Sequence, residues 1–368
     1  MERPLRIAII GCGWAGTRHA HACQACGIEI GWTIDLDLRR AASVRASLAR
    51  AQGEVHAGVD YRQALDDISV DAVDICLPHN LHAAVAVEAA QAGKHVLCEK
   101  PIAATLEQAD QMIEAAGRAG VVLMIAENVR FSPLLRKVRD LLQRGVIGQP
   151  ALIQVTRQCY LRRSFLEERP WFLSAQAAAG GIMMSGGVHD FETMRMLVGE
   201  VESVYALRAR QRFLEMEGDD TSTALVRFRD GAVGLLVESF IMKSLVTAAG
   251  PEVHTLRVDG DLGSLSVEDG RTIRLFSEQD DVASLVSPRP ISGEGAGVRA
   301  LMSLGDELVQ HEIYVPEQDT FVLEIDHFVR AVRTGEQPVT SGRSQRRPLE
   351  IVLAAYRSME SGQPVKVL

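Results

Sequence analysis

The chain has 368 residues, 47% of them hydrophobic and 24% charged, and a formal net charge of −9. That length exceeds an ordinary single domain and points to two, with enough apolar residues for sizeable cores. The negative balance argues against nucleic acid or an anionic membrane surface as the main partner, and no apolar run approaches the ~20 residues of a membrane span.

The first third alternates strand and helix patterns. The apolar run Ile7–Ile10 predicts a strand and lacks the h-region and cleavage site of a signal peptide, so a cytoplasmic protein is expected. Gly11, Gly13 and Gly16 follow, opening a helix to about Ala25. Glu29–Ile34 predicts a strand ending at Asp35, and Arg39–Ala51 a helix. Val73–Leu77 and His95–Cys98 read as strands on either side of the helix Ala83–Ala92, which Gly93 caps. The helix Leu106–Ala119 ends at Gly120 before a last strand, Val121–Ile125. Alternation at this spacing means βαβ units in a doubly wound parallel sheet, and wholly apolar strands suit burial on both faces.

The pattern changes after Ala126. Leu134–Arg144 is amphipathic and closed by Gly145 and Gly148. Strand-like stretches follow at Ala151–Gln158, Val201–Arg212, Ser222–Arg229, Ala232–Ile241 and His254–Asp259. Arg229-Asp230-Gly231 is a hairpin turn between two of them. The expectation is an α/β protein with a dinucleotide-binding domain over residues 1–126 and an α+β domain with a largely antiparallel sheet over 127–368. Residues Asp280 to Pro316, rich in Gly, Ser and charge, read as a long loop. Cys12, Cys23, Cys26, Cys76, Cys98 and Cys159 form no secreted framework. The Cys23-x-x-Cys26 pair has no second pair, and His19 and His21, two apart on a helix, do not converge, so reduced thiols and no metal are expected.

Gly11-Cys12-Gly13-Trp14-Ala15-Gly16 is a GxGxxG loop after a strand and at the start of a helix, with Asp35 at the end of the next strand, 19 positions after Gly16. That context is the dinucleotide fingerprint. Gly11 allows the tight turn, Gly13 lets backbone approach the pyrophosphate at the helix N-terminus, and Gly16 lets helix and strand pack closely. Asp35 accepts ribose hydroxyls and repels a 2′-phosphate, which favours NAD; Arg39 and Arg40 keep NADP open.

Three further motifs carry chemistry. Pro78-His79-Asn80-Leu81-His82 and Glu99-Lys100-Pro101 each follow a strand, at the carboxyl edge where parallel sheets bind ligands. The third, Gly180-Gly181-Ile182-Met183-Met184-Ser185-Gly186-Gly187-Val188-His189-Asp190-Phe191-Glu192, lies in the second half. With Glu127-Asn128-Val129-Arg130-Phe131, Ala354-Ala355-Tyr356-Arg357-Ser358 and Gly362-Gln363-Pro364-Val365, these motifs resemble the Gfo/Idh/MocA oxidoreductases over almost the whole chain. The resemblance implies a Rossmann domain, a second α/β domain whose large open antiparallel sheet mediates dimers or tetramers, and substrates among sugars, sugar derivatives and inositols.

It also implies that Lys100 and His189 are catalytic. Lys100 precedes proline, so its backbone is held extended, and a desolvated lysine can exchange a proton with a substrate hydroxyl; a histidine can accept that proton as hydride leaves the carbon. Pro78, Asn80, His82, Glu99 and Lys100 are expected on the cofactor side, with Trp14 and Ala15 in the loop. Arg130, Tyr160, Arg163 and Trp171 are expected in the substrate pocket, since sugars favour an aromatic face and charged donors, and Lys100, Ser185 and His189 are expected to face the reacting hydroxyl there. Ser185 departs from the pattern, which has an aspartate four residues before the histidine. One helical turn would let 185 meet 189, and Glu192 is the remaining carboxylate able to orient His189. The function expected is hydride transfer between NAD and a hydroxyl-bearing carbon of a sugar or cyclic polyol. Two alternatives stay open: oxidation, elimination and re-reduction that cleaves a glycoside, and a non-catalytic NAD-binding sensor.

Overall fold

The computed structural model describes residues 3–48, 53–161, 167, 169–213, 215–242, 252–279, 298–303 and 309–367. The chain forms two compact units: Met1–Phe131 with Ser164–Ala179 and Asp319–Leu349, and Ser132–Arg163 with Gly180–Gln318 and Glu350–Leu368. A single cut at residue 126 does not reproduce this division, because two later segments return to the first unit.

The first unit is built on a parallel sheet: β1 (Arg6–Ile10), β2 (Glu29–Ile34), β3 (His56–Gly58), β4 (Ala72–Ile75), β5 (His95–Glu99) and β6 (Leu123–Ala126), in the order β3-β2-β1-β4-β5-β6. All five pairings are parallel. Every residue of β4 and β6 is buried, as the continuous apolar runs require of strands covered on both faces. The order reverses direction between β1 and β4, so the crevice beyond their carboxyl ends is the switch point where such sheets bind ligands. The helix Leu106–Ala119 is bounded as its sequence dictates. Thr105 accepts the Gln108 N–H at one end, and Gly120 takes φ 67° at the other. β3 and the five-residue helix Arg62–Asp66 are additions to the sequence reading; His-Ala-Gly carries no apolar run to betray a strand. Ile7, Ile9 and Leu97 share one core with Phe321, Ile325, Phe328 and Val329 of the helix Thr320–Thr334.

The second unit holds a ten-stranded sheet ordered β14-β15-β13-β12-β11-β7-β10-β9-β8-β16. Its strands are β7 (Pro150–Cys159), β8 (Val201–Arg208), β9 (Thr221–Phe228), β10 (Val233–Ser239), β11 (Glu252–Gly260), β12 (Gly263–Val267), β13 (Thr272–Ser277), β14 (Val298–Ser303), β15 (Val309–Tyr314) and β16 (Val365–Lys366). Only β7 and β10 pair in parallel; the other pairings are antiparallel. β9 and β10 close through the expected hairpin, with Gly231 at φ 96°.

One expectation fails here. The stretch from Asp280 to Pro316 is not wholly a loop, because β14 and β15 lie within it; residues 280–297 and 304–308 are outside the described residues. In β15 the buried His311 and Ile313 alternate with the less buried Glu312 and exposed Tyr314, a period-2 pattern diluted by polar residues on its outward side. Among the described residues no helix is long and apolar enough to cross a membrane.

Candidate active site

The glycine loop is shaped by close approaches. Gly11 takes φ 95°, and a Cβ there would overlap the Cys76 carbonyl oxygen; one at Gly16 would overlap the Gly11 carbonyl oxygen. A Cβ at Gly13, by contrast, would meet nothing within 4 Å. The loop is therefore packed on two sides and open on the third. Asp35 holds its near end: Oδ2 accepts the Cys12 backbone N–H at 2.9 Å, and Oδ1 accepts that of Asp37 at 2.9 Å. A carboxylate with two bonds keeps lone pairs for a further donor. Burial and the nearby Asp35 charge push the Cys12 thiol up to about 12, so it stays protonated. Trp14 is half exposed, and the Arg18 and Arg169 guanidiniums lie 5.8 and 5.0 Å from its ring centroid. Ala15 is partly buried. Arg39 is exposed and paired with Asp37 at 2.9 Å.

The turn after β4 runs through Pro78. Asn80 Oδ1 is buried without a partner among the described residues, an acceptor left for a ligand donor. His79 stacks edge-on against Trp171, centroids 5.1 Å apart, and its Nδ1 lies 2.6 Å from the Ala178 carbonyl. His82 departs from its expected place facing a cofactor. It is fully buried, with Nδ1 2.8 Å from the Pro101 carbonyl and Nε2 2.9 Å from that of Leu77. Burial pulls its pKa down, and a neutral ring donates to only one of the two. Its geometry is that of a brace between the turns after β4 and β5. Lys100, partly buried, directly follows β5 and is joined to Pro101 by a cis peptide. The Lys100 backbone N–H donates to Glu99 Oε2 at 3.0 Å. Arg130 lies in the turn Asn128–Phe131 after β6. The first unit thus gathers Gly11, Gly13, Asp35, Pro78, Asn80, Glu99, Lys100 and Arg130 beyond the carboxyl ends of its strands.

In the second unit the Gly180–Glu192 segment is two helices, Ile182–Ser185 and Gly187–Leu197, rather than one. Residues 185 and 189 therefore lie in separate helices, on either side of Gly186. The break sits at Gly186 and Gly187, where Cβ atoms would press on the two Glu238 carboxyl oxygens. Ser185 is buried, and its hydroxyl donates to the Gly181 carbonyl at 3.0 Å. His189 is partly exposed at the start of the second helix. Glu192 is fully buried and accepts from Arg195 at 2.5 Å, so that oxygen is committed to the arginine. Tyr160 is exposed near the end of β7. Arg163 lies outside the described residues.

Residues 5–127 match the sequence model of the oxidoreductase family with an NAD-binding Rossmann fold, and residues 135–266 that of the Gfo/Idh/MocA C-terminal domain. The chain belongs to the Gfo/Idh/MocA oxidoreductases. It is 28% identical to the myo-inositol 2-dehydrogenase of Thermotoga maritima, covering 99% of this chain and 98% of that one. It is 29% identical to the levoglucosan dehydrogenase of Pseudarthrobacter phenanthrenivorans, covering 90% of each. A solved levoglucosan dehydrogenase in complex with NADH and levoglucosan shares the fold, with a TM-score of 0.82 at 22% identity over 99% of this chain and 100% of that one.

In this Gfo/Idh/MocA chain the structure adds residues that motif reading passed over. Arg157 on β7 is in register with Glu238 on β10 and His254 on β11, a row of ionisable groups across three adjacent strands. Asp190 inserts into that row. It accepts from Arg157 Nε and Nη2, both at 2.8 Å, and its Oδ1 is 3.2 Å from His254 Nε2. Burial opposes its charge, but Arg157 and His254 hold Asp190 well below the usual carboxylate range. Burial and the nearby Asp190 charge push Glu238 well above the usual carboxylate range. The sequence signal was a charged residue on each strand at an inward position. Tyr356 clamps the Gly180-Gly181 turn: its hydroxyl accepts the Gly181 N–H at 2.9 Å and donates to Asp219 at 2.7 Å.

His19, Asp74 and Cys76 bring ligand atoms within 4.8 Å of one another. Their geometry is a hydrogen-bonded one, with His19 Nδ1 2.9 Å from Asp74 Oδ2. Burial and Asp74 push the Cys76 thiol well up, which disfavours the thiolate a metal needs. All six cysteines are free.

Proposed function

We propose that this chain is an NAD-dependent dehydrogenase that moves hydride between nicotinamide and a secondary carbinol or ketone carbon of a sugar, sugar derivative or cyclic polyol. The observation that carries it is the glycine loop at the sheet's switch point, closed against Cys76 and the β1 turn but open beyond Gly13, in a chain whose family is defined by an NAD-binding Rossmann fold. The relatives' names, an inositol and an anhydrosugar dehydrogenase, support the substrate class. Gly13, Trp14 and Ala15 would present backbone N–H groups to the pyrophosphate, Asp35 would take the ribose hydroxyls, and Asn80 Oδ1 would accept from the nicotinamide half. NAD, when bound, supplies the hydride acceptor. As the carbon gives up hydride, its hydroxyl proton passes to Lys100 Nζ, with His189 as the second acid–base group, and Arg130, Tyr160, Arg163 and Trp171 hold the substrate. The protein works in the cytoplasm as a homo-oligomer formed through its large sheet, whose exposed Leu207, Leu225, Val233 and Tyr314 suit cover by a second copy.

The test follows nicotinamide absorbance with NAD and a panel of inositols, aldoses and anhydrosugars. Net NADH formation is expected, and Lys100→Met should lower it by about 10²-fold or more with NADH affinity little changed. Glycoside cleavage without net NADH would replace this reading with oxidation, elimination and re-reduction. NAD binding without any turnover would replace it with a sensor.

A further inference from the structure

The first unit contains a buried histidine that the proposed chemistry does not use. His19 lies on the helix Trp14–Ala25, which the glycine loop opens, and has no exposed surface. Its Nδ1 is 2.9 and 3.1 Å from the two oxygens of Asp74, which is equally buried on β4. Its Nε2 is 3.3 Å from Glu99 Oε1 at the end of β5, an ion-pair distance. The ring also packs edge-on against Phe321, with centroids 5.4 Å apart. The other Glu99 oxygen accepts the Lys100 backbone N–H at 3.0 Å. A continuous path therefore runs Asp74, His19, Glu99, Lys100 main chain, drawn from a helix and two strands.

The charge state follows from the partners. A neutral imidazole has one N–H and one lone pair, so between two carboxylates one contact would be repulsive; imidazolium keeps the Nδ1 hydrogen bond to Asp74 and presents Nε2 to Glu99 at ion-pair distance. Burial opposes the charge, but Asp74, by its charge and its hydrogen bond, outweighs it and holds His19 well above its ordinary pKa. The other ionisable groups around this path are Cys23, Cys76, Cys98, His82, Glu127 and Glu324. Burial pushes the three thiols, His82 and Glu324 toward their neutral forms, and His19 carries its positive charge beside Asp74 and Glu99.

We propose that His19, fixed by Asp74, is a positioning residue for Lys100: it holds the Glu99 carboxylate where that carboxylate receives the Lys100 backbone N–H. The inference rests on the reading of Lys100 as the proton-exchanging group. It predicts a pH signature that a merely structural histidine lacks. In the unaltered protein His19 stays charged over the working range and adds no limb to the pH–rate profile. Asp74→Asn keeps the shape but removes the charge that sustains imidazolium, so His19 should titrate within that range and kcat should fall as pH rises through neutrality.

The experiment measures kcat, KM and NADH affinity from pH 5.5 to 9 for Asp74→Asn, Glu99→Gln, His19→Gln and the His19→Gln/Glu99→Gln double variant, with thermal midpoints confirming that each folds. Expected are kcat losses between ~10- and 10²-fold for His19→Gln and Glu99→Gln, a double variant no worse than the worse single, and the new alkaline limb in Asp74→Asn. For His19→Gln and Asp74→Asn, NADH affinity, read by fluorescence titration without substrate, should hold within about twofold of the unaltered protein, far less than the tenfold that 1.4 kcal/mol would give. If His19→Gln fails to fold, Asp74→Asn and Glu99→Gln carry the test through the pH profile. Losses that multiply in the double variant, or a pH-independent loss in Asp74→Asn, overturn the proposal. Normal turnover in Lys100→Met would instead remove the underlying reading and the inference with it.

Discussion

Asp35 shows how one side chain can serve two ends. Its carboxylate already ties the glycine loop to the end of β2 through the Cys12 and Asp37 N–H groups, and in the proposed function its charge would repel a 2′-phosphate. NAD(H) should bind at least ~10-fold more tightly than NADP(H), about 1.4 kcal/mol. Asp35→Ser should narrow that gap, and equal affinities in the unaltered protein would sink the assignment. Because the same carboxylate braces the loop, the variant should also weaken NAD itself. Glu324 makes the opposite case. Both its carboxyl oxygens are buried without a partner among the described residues, and burial raises its pKa well above the ordinary value. The folded chain then keeps this proton over a pH range in which the unfolded chain has lost it. Stability therefore falls as pH rises from the ordinary carboxyl range toward the raised value. Glu324→Gln should remove that slope: its thermal midpoint, relative to the unaltered chain, should climb between pH 5 and 8. A constant offset would show that Glu324 is charged in the fold.

At the level of elements, the helix carrying His189 is anchored by one buried ion pair. Asp190 is fully buried, and the Arg157 side chain is 16% exposed. Removing one partner of a buried pair leaves an uncompensated charge and costs about 3–5 kcal/mol. Asp190→Asn should lose that much in urea unfolding at pH 7 and less as pH falls below the ordinary carboxylate range, since a depressed pKa contributes stability that acid removes. A loss below ~1 kcal/mol would mean the row across β10, β7 and β11 carries little of the anchoring. This row marks the limit of what the sequence made legible. Most strands and helices of the first unit were readable because apolar runs such as Ile7–Ile10 are strands and a helix such as Leu106–Ala119 carries its caps, Thr105 and Gly120. Glu238 and Arg157 were not, because a charged residue inside a strand pattern reads as an outward one until strand register is known. The helix break at Gly186 was hidden for a related reason: glycines there answer to Glu238, 52 positions away, and not to the local helix period. His82 was misjudged because a histidine beside a cofactor turn and a histidine bracing two carbonyls look alike in sequence.

For the molecule as a whole, the first unit's core is assembled from distant parts of the chain. Phe321, Ile325, Phe328 and Val329 pack with Ile7, Ile9 and Leu97, and burial of each such side chain contributes about 1.5–3 kcal/mol. A fragment of residues 1–126, though it contains every strand of the parallel sheet, should bind an apolar dye and melt without a cooperative transition. Adding residues 319–349 as a separate peptide should restore part of the cooperativity; a sharp melt of the fragment alone would contradict this. The same arrangement constrains the order of events during synthesis. On a ribosome the strands that would cradle the dinucleotide emerge first, yet the helix that completes their core is made some two hundred residues later. At roughly 5–20 residues per second, the nascent sheet waits on the order of ten seconds or more with its Phe321-facing surface bare. That interval is when a holdase would find this chain, and it ends only as residue 334 clears the exit tunnel.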